Sequence, residues 1–96
     1  MQTFSPLTVF YEAIDGDARI NTTHISLYMA LLQQCNLMQA KNPVSIKRDD
    51  IMKSAKVSAR HTYYKCMNEL HEYGYIIYRP SSNPSEKSIV HLKSLQ

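Results

Sequence analysis

The sequence predicts a mainly helical α+β fold, and three observations carry that prediction. Residues 47–78 read as two helices joined by a tight turn and followed by a strand. The longer helix places Tyr63, Cys66, Met67, Leu70 and Tyr73 at steps of three and four, the helical period. Beyond Gly74, two β-prone runs at 75–79 and 88–92 flank a polar segment with two prolines, which is the pattern of a hairpin.

Taken in order, Ser5-Pro6 reads as an N-cap followed by proline at the first helical position. Leu7, Phe10, Tyr11 and Ile14 follow at i, i+3, i+4 and i+7, so a short helix over 6–14 is expected, stopped by Asp15-Gly16-Asp17. It is too short to stand alone, so its apolar stripe packs either on the domain's own core or on a second subunit. The first 20 residues form a helical extension on this reading, and 21–96 the main domain.

Asn21, Thr22 and Thr23 offer capping oxygens for the next helix, expected from Thr23 to about Ala40. Its apolar residues, among them Leu27, Tyr28, Leu31, Leu32 and Cys35, cover more than one face, which marks the central helix of a core. His24 reads as a surface residue. Pro43 ends the helix, and Val44, Ser45 and Ile46 suit one short strand. A helix then starts near Lys47 or Arg48, with Asp49 and Asp50 in its first turn opposing the helix's positive end. Val57 is the buried plug of the following turn, and Ser58 the expected N-cap of the long helix. Gly74 takes the left-handed C-terminal conformation.

Composition narrows the function classes. The chain has 96 residues, 44% hydrophobic and 20% charged, ordinary for one globular domain. No stretch approaches the ~20 apolar residues needed to span a bilayer. No basic n-region precedes an apolar run, so a cytoplasmic location is expected. Cys35 and Cys66 sit in helical apolar patterns and read as buried free thiols, without the pairing a zinc site needs. The four histidines lie on four different elements, and two glycines leave no material for a phosphate-cradling loop. Catalysis, metals, cofactors and small-molecule ligands are therefore not expected.

The formal charge of +3 is unevenly spread. Residues 1–40 carry a net −2, residues 41–79 a net +4 and the tail +1. Positive charge thus gathers on the helix pair and the hairpin, a pattern suited to a polyanion. On the long helix, His61, Lys65, Asn68 and Glu72 fall opposite the apolar stripe, with Arg60, Tyr64 and His71 on a flank.

The order helix, strand, helix, turn, helix, strand, loop, strand is that of the winged helix-turn-helix. The sequence also resembles that family directly. Leu70-His-Glu-Tyr-Gly74-Tyr-Ile76 is similar to the end of the recognition helix and the first wing strand of many bacterial members, and 44–58 looks like the short strand, second helix and turn. NTTHISLYMALLQQ, TYYKCMNELHEYGYI and the PSSNP loop most resemble small stand-alone bacterial proteins of mobile or conjugative elements. Lys47 at the cap position and a turn before Tyr63 about one residue longer than common depart from the pattern.

The resemblance implies a three-helix core with a β-hairpin wing, here preceded by an extra helix, and binding of double-stranded DNA. The long helix, 58–73, would enter the major groove, with the wing at 80–87 on the backbone. Arg60 suits a bidentate guanine contact. Lys47, Lys56 and Lys65 suit phosphates. Ser58, His61 and Tyr64 lie in the first two turns, and Arg79, Ser82, Asn83 and Lys87 flank or form the wing. Transcription regulation, or an accessory role in recombination or excision, follows as the expected function. The rival is a winged helix acting as a protein–protein adaptor, which would carry a neutral or apolar outer face. Leu7, Phe10, Tyr11 and Ile14 are the candidates for a homodimer contact.

Overall fold

The structure, a computed structural model, describes residues 6–37, 44–81 and 87–92. Four helices and a three-stranded antiparallel sheet follow in the order α1 (Pro6–Ile14), α2 (Thr22–Leu37), β1 (Val44–Ile46), α3 (Arg48–Ala55), α4 (Arg60–Glu72), β2 (Ile76–Arg79) and β3 (Ser88–Leu92). The α+β, mainly helical class is as the sequence predicts. The expectation that the central helix reaches Ala40 falls outside the described residues, as do Ser82 and Asn83 and the side chain of Leu7.

α2 is central because it is apolar on several sides. Leu27, Tyr28, Ala30 and Leu31 are buried, and α2 touches α1, β1, α3 and α4. The Ser26 hydroxyl donates to the Ala55 carbonyl and ties α2 to the end of α3. α4 buries Tyr63, Cys66, Met67 and Leu70, as its periodicity predicts, and Tyr73 is packed against the core while partly exposed.

β3 lies in the middle of the sheet, paired with β2 through the hairpin and with β1 on its other side. Val90 faces Val44 across one ladder and Tyr78 across the other, so one row of three buried side chains closes the sheet onto the helices. The three-residue strand before α3 therefore completes the sheet.

Four local expectations are corrected. His24 is buried, at 1% exposure, because it serves the N-terminus of α2. Asn21 Oδ1 accepts the His24 backbone N–H at 3.0 Å, and the Asn21 backbone N–H donates to His24 Nδ1 at 3.0 Å. This is a reciprocal capping box with imidazole in place of the usual carboxylate. Ser58 is not the N-cap of the long helix: Ala59 holds that position in extended geometry, without a side-chain cap, and the helix begins at Arg60. Cys35 is half-buried rather than buried, as is Val57.

The end of α3 explains how the tight turn is made. Lys56 takes the left-handed conformation, φ 61° and ψ 37°, and its N–H and that of Val57 satisfy carbonyls of the last turn. Gly74, at φ 91°, plays the equivalent part after α4, where Tyr75 N–H reaches the Leu70 carbonyl.

α1 is joined to the main body by aromatic packing. Phe10 is fully buried, its ring stacked on Tyr28 at 3.8 Å between centroids and edge-on to Tyr75 at 5.7 Å. Phe10 therefore belongs to the chain's own core and is closed to a second subunit. Ile14 packs partly against the same core, while Tyr11 stays 47% exposed.

The loop after α1 is clamped as well. Asp17 accepts two hydrogen bonds from the Arg19 guanidinium, each 2.8 Å, and one from the Tyr75 hydroxyl at 2.7 Å. The Arg19 pairing, reinforced by Tyr75, holds the Asp17 carboxyl well below the usual carboxylate range. Arg19 also lies over the Tyr73 ring at 4.2 Å.

Candidate nucleic-acid interface

The helical period that buries Tyr63, Cys66, Met67 and Leu70 turns Arg60, His61, Tyr64, Lys65 and Asn68 outward, and all five are exposed. Lys56 and Ser58 are exposed in the turn before α4, and Lys47 before α3. Among the described residues, Lys47, Lys56, Arg60 and Lys65 form no ion pair. The helix pair thus presents cations whose charge no carboxylate among the described residues cancels by direct contact.

Arg48 joins this surface, a part not foreseen from the sequence beyond its contribution to net charge. It opens α3, and its Nη1 donates to the Tyr64 hydroxyl at 3.0 Å while Nε donates to Asp49 Oδ1 at 3.1 Å. The two bonds hold the guanidinium against the middle of α4, with most of its donors left for an incoming acceptor. The Arg48–Tyr64 bond joins the start of one helix to the outer face of the next, so the periodicity of either helix alone could not reveal it.

Glu69 also departs from its expected effect. It reads as a diluting negative charge on the long helix, yet Oε1 accepts from His24 Nε2 at 2.9 Å and Oε2 from the Tyr73 hydroxyl at 3.4 Å. Its carboxylate is drawn toward α2, away from Arg60 and Lys65. Of the acids on α4, Glu72 alone remains exposed.

His24, Cys66 and Glu69 bring three ligand-type atoms within 4.8 Å of one another. The hydrogen bonds argue against a metal there. Because the Asn21 N–H donates to Nδ1, the imidazole proton sits on Nε2, where it meets Glu69. Coordination through Nε2 would move that proton to Nδ1, against the Asn21 N–H. Burial also pushes the Cys66 thiol up, opposing the thiolate a metal prefers.

The remaining predicted residues divide. Lys87 is exposed just before β3, at the base of the hairpin loop. Arg79 belongs to a different surface. Tyr78 before it is buried, and strand alternation puts Arg79 with Ile77 on the sheet face turned away from the core. Among the described residues, no helix is long and apolar enough to cross a membrane. Comparisons with known proteins matched this chain to no protein family, no curated protein and no solved structure.

Proposed function

We propose that this chain is a winged-helix protein that binds double-stranded DNA. In this reading α4 enters the major groove, and the segment between β2 and β3 acts as a wing along the backbone. The observation that carries it is the α3–α4 surface. Arg60, His61, Tyr64 and Lys65 face outward together with the half-buried Arg48 bonded to Tyr64 beside them, while Glu69 is held away by His24. Arg60 is the base-reading residue, since a guanidinium pairs bidentately with guanine. Lys47, Arg48, Lys56 and Lys65 contact phosphates and fix the docking. The uncapped start of α4 adds backbone N–H groups and a positive helix end to the same surface. Control of transcription, or assistance to recombination or excision, is the role such binding would serve.

The test is binding to random-sequence duplex DNA across a salt series. Four to five phosphate contacts correspond to a slope of about −4 in log affinity against log salt. Arg60→Ala with Lys65→Ala weakens binding and makes the slope shallower by about one, because only Lys65 of the two touches phosphate. If wild-type protein fails to bind even at low salt, the proposal falls.

A further inference from the structure

Two surfaces lie apart from the α3–α4 face. The first is on the sheet. β2 and β3 send Ile76, Tyr78, Val90 and Leu92 into the core, so Ile77, Arg79, Ile89 and His91 occupy the opposite side. The cross-strand pairs are Ile77 with His91 and Arg79 with Ile89, which set the isoleucines on one diagonal and the basic side chains on the other. Together they line a depression of about 350 Å³. Solvent-facing sheet positions normally carry polar side chains in alternation with the core. Here two of the four on β2 and β3 are isoleucine.

The second surface is on α1. With Phe10 anchored in the core, Tyr11 points outward and is the most exposed large hydrophobic residue described, at 47%. Thr8, Glu12 and Asp15 surround it, at the spacing that shares one helical face. Neither carboxylate, nor Arg79, forms an ion pair among the described residues.

The two surfaces complement each other: an aromatic ring beside two carboxylates, and an apolar hollow beside a guanidinium and an imidazole. We infer that copies of this chain associate head to tail, with the Tyr11 face of α1 from one copy seated on the Ile77–Ile89 face of the next. Because two different patches meet, the contact is heterologous and repeats from copy to copy, closing a ring or running on as a row. It uses none of Arg48, Arg60, Tyr64 or Lys65, so it stands or falls independently of DNA binding.

Sedimentation velocity of the full chain over a rising concentration series tests this, using wild type, Tyr11→Ala, Arg79→Glu and an equal mixture of the two variants. Wild type moves beyond a dimer as concentration rises. Each variant alone associates about tenfold more weakly or worse. The mixture regains association but stops at the dimer, since only the Arg79→Glu copy keeps its α1 face and only the Tyr11→Ala copy keeps its sheet face. Glu12→Gln provides a second α1 variant should Tyr11→Ala loosen the helix. A wild type that stays monomeric overturns the inference. So does an Arg79→Glu chain that associates normally, which would mean α1 pairing with α1, and so does a mixture that does not reassociate.

Discussion

Replacing Phe10 with alanine asks whether α1 is an appendage or part of the domain. The side chain is 0% exposed, stacked at 3.8 Å and 4° on Tyr28 and edge-on at 5.7 Å and 79° to Tyr75. Emptying such a site costs about 3–5 kcal/mol in lost transfer energy and cavity formation. The two aromatic pairs place this case toward the upper half of that range. A chain of this length has a total stability of roughly 5–14 kcal/mol, so a loss of ~4 kcal/mol removes more than a quarter of it. At 4–8 °C per kcal/mol for a domain this small, Tm falls by about 15–30 °C. Urea denaturation followed by circular dichroism measures the change, and an unaltered m-value would show that the same cooperative unit still unfolds. A drop below ~1 kcal/mol would refute the reasoning. It would mean that α1 detaches without disturbing Tyr28 and Tyr75, as an extension outside the main domain would.

Two further perturbations follow from single side chains. The Asp17 carboxyl titrates below its unfolded value of 3.8 because of Arg19 and Tyr75, so its stabilising effect is complete above about pH 4 and is lost as pH falls toward its depressed value. Asp17→Asn should lower stability at neutral pH and flatten the acid limb of a stability–pH profile; an unchanged acid limb would mean that other groups govern it. The Tyr75 hydroxyl, pushed up to about 12 chiefly by burial and then by Asp17, contributes to the alkaline limb between pH 10 and 12, together with Tyr28, Tyr63, Tyr73 and Tyr78, which burial also pushes up. Lys56 pays a Cβ penalty of about 1 kcal/mol in its left-handed conformation, so Lys56→Gly should stabilise the fold by up to ~1 kcal/mol and, on the proposed DNA reading, remove one phosphate contact. A salt slope that does not become shallower by about 0.9 would take Lys56 off the DNA surface, and a fall in stability would contradict the strain argument.

The elements were legible because each is written in local periodicity. The apolar steps over residues 6–14 and 60–73, the alternation at 88–92 and the breaks at Gly16 and Gly74 are short-range signals, and the helices and strands follow them. What escaped were pairings between distant residues: His24 with Glu69, Asp17 with Tyr75, Arg48 with Tyr64, and β1 with β3. His24 is the instructive exception, since its signal was local. Asn21 and His24 stand three apart at the start of an apolar helix, the spacing of a capping box, and an imidazole nitrogen accepts a hydrogen bond as a carboxylate does. Ser58 misled for the opposite reason. A serine one residue ahead of the true cap carries the right chemistry at the wrong place, and the helix starts where its first carbonyl, that of Ala59, finds the Tyr63 N–H.

These distant pairings also bear on the surface the sequence could only approximate. Asp17 is held by Arg19 and Tyr75, and Glu69 by His24 and Tyr73, so two of the chain's acids are tied to structural contacts. Lys47, Lys56, Arg60 and Lys65 have no ion-pair partner among the described residues. A net charge of +3 therefore understates the contrast between the α3–α4 face and the rest of the molecule. The capping of α2 and the basic character of α4 are linked through one hydrogen bond: if His24 did not draw Glu69 inward, a free carboxylate on the last turn of α4 would offset the charge of Lys65 one turn before it and, on the proposed reading, oppose the DNA phosphates.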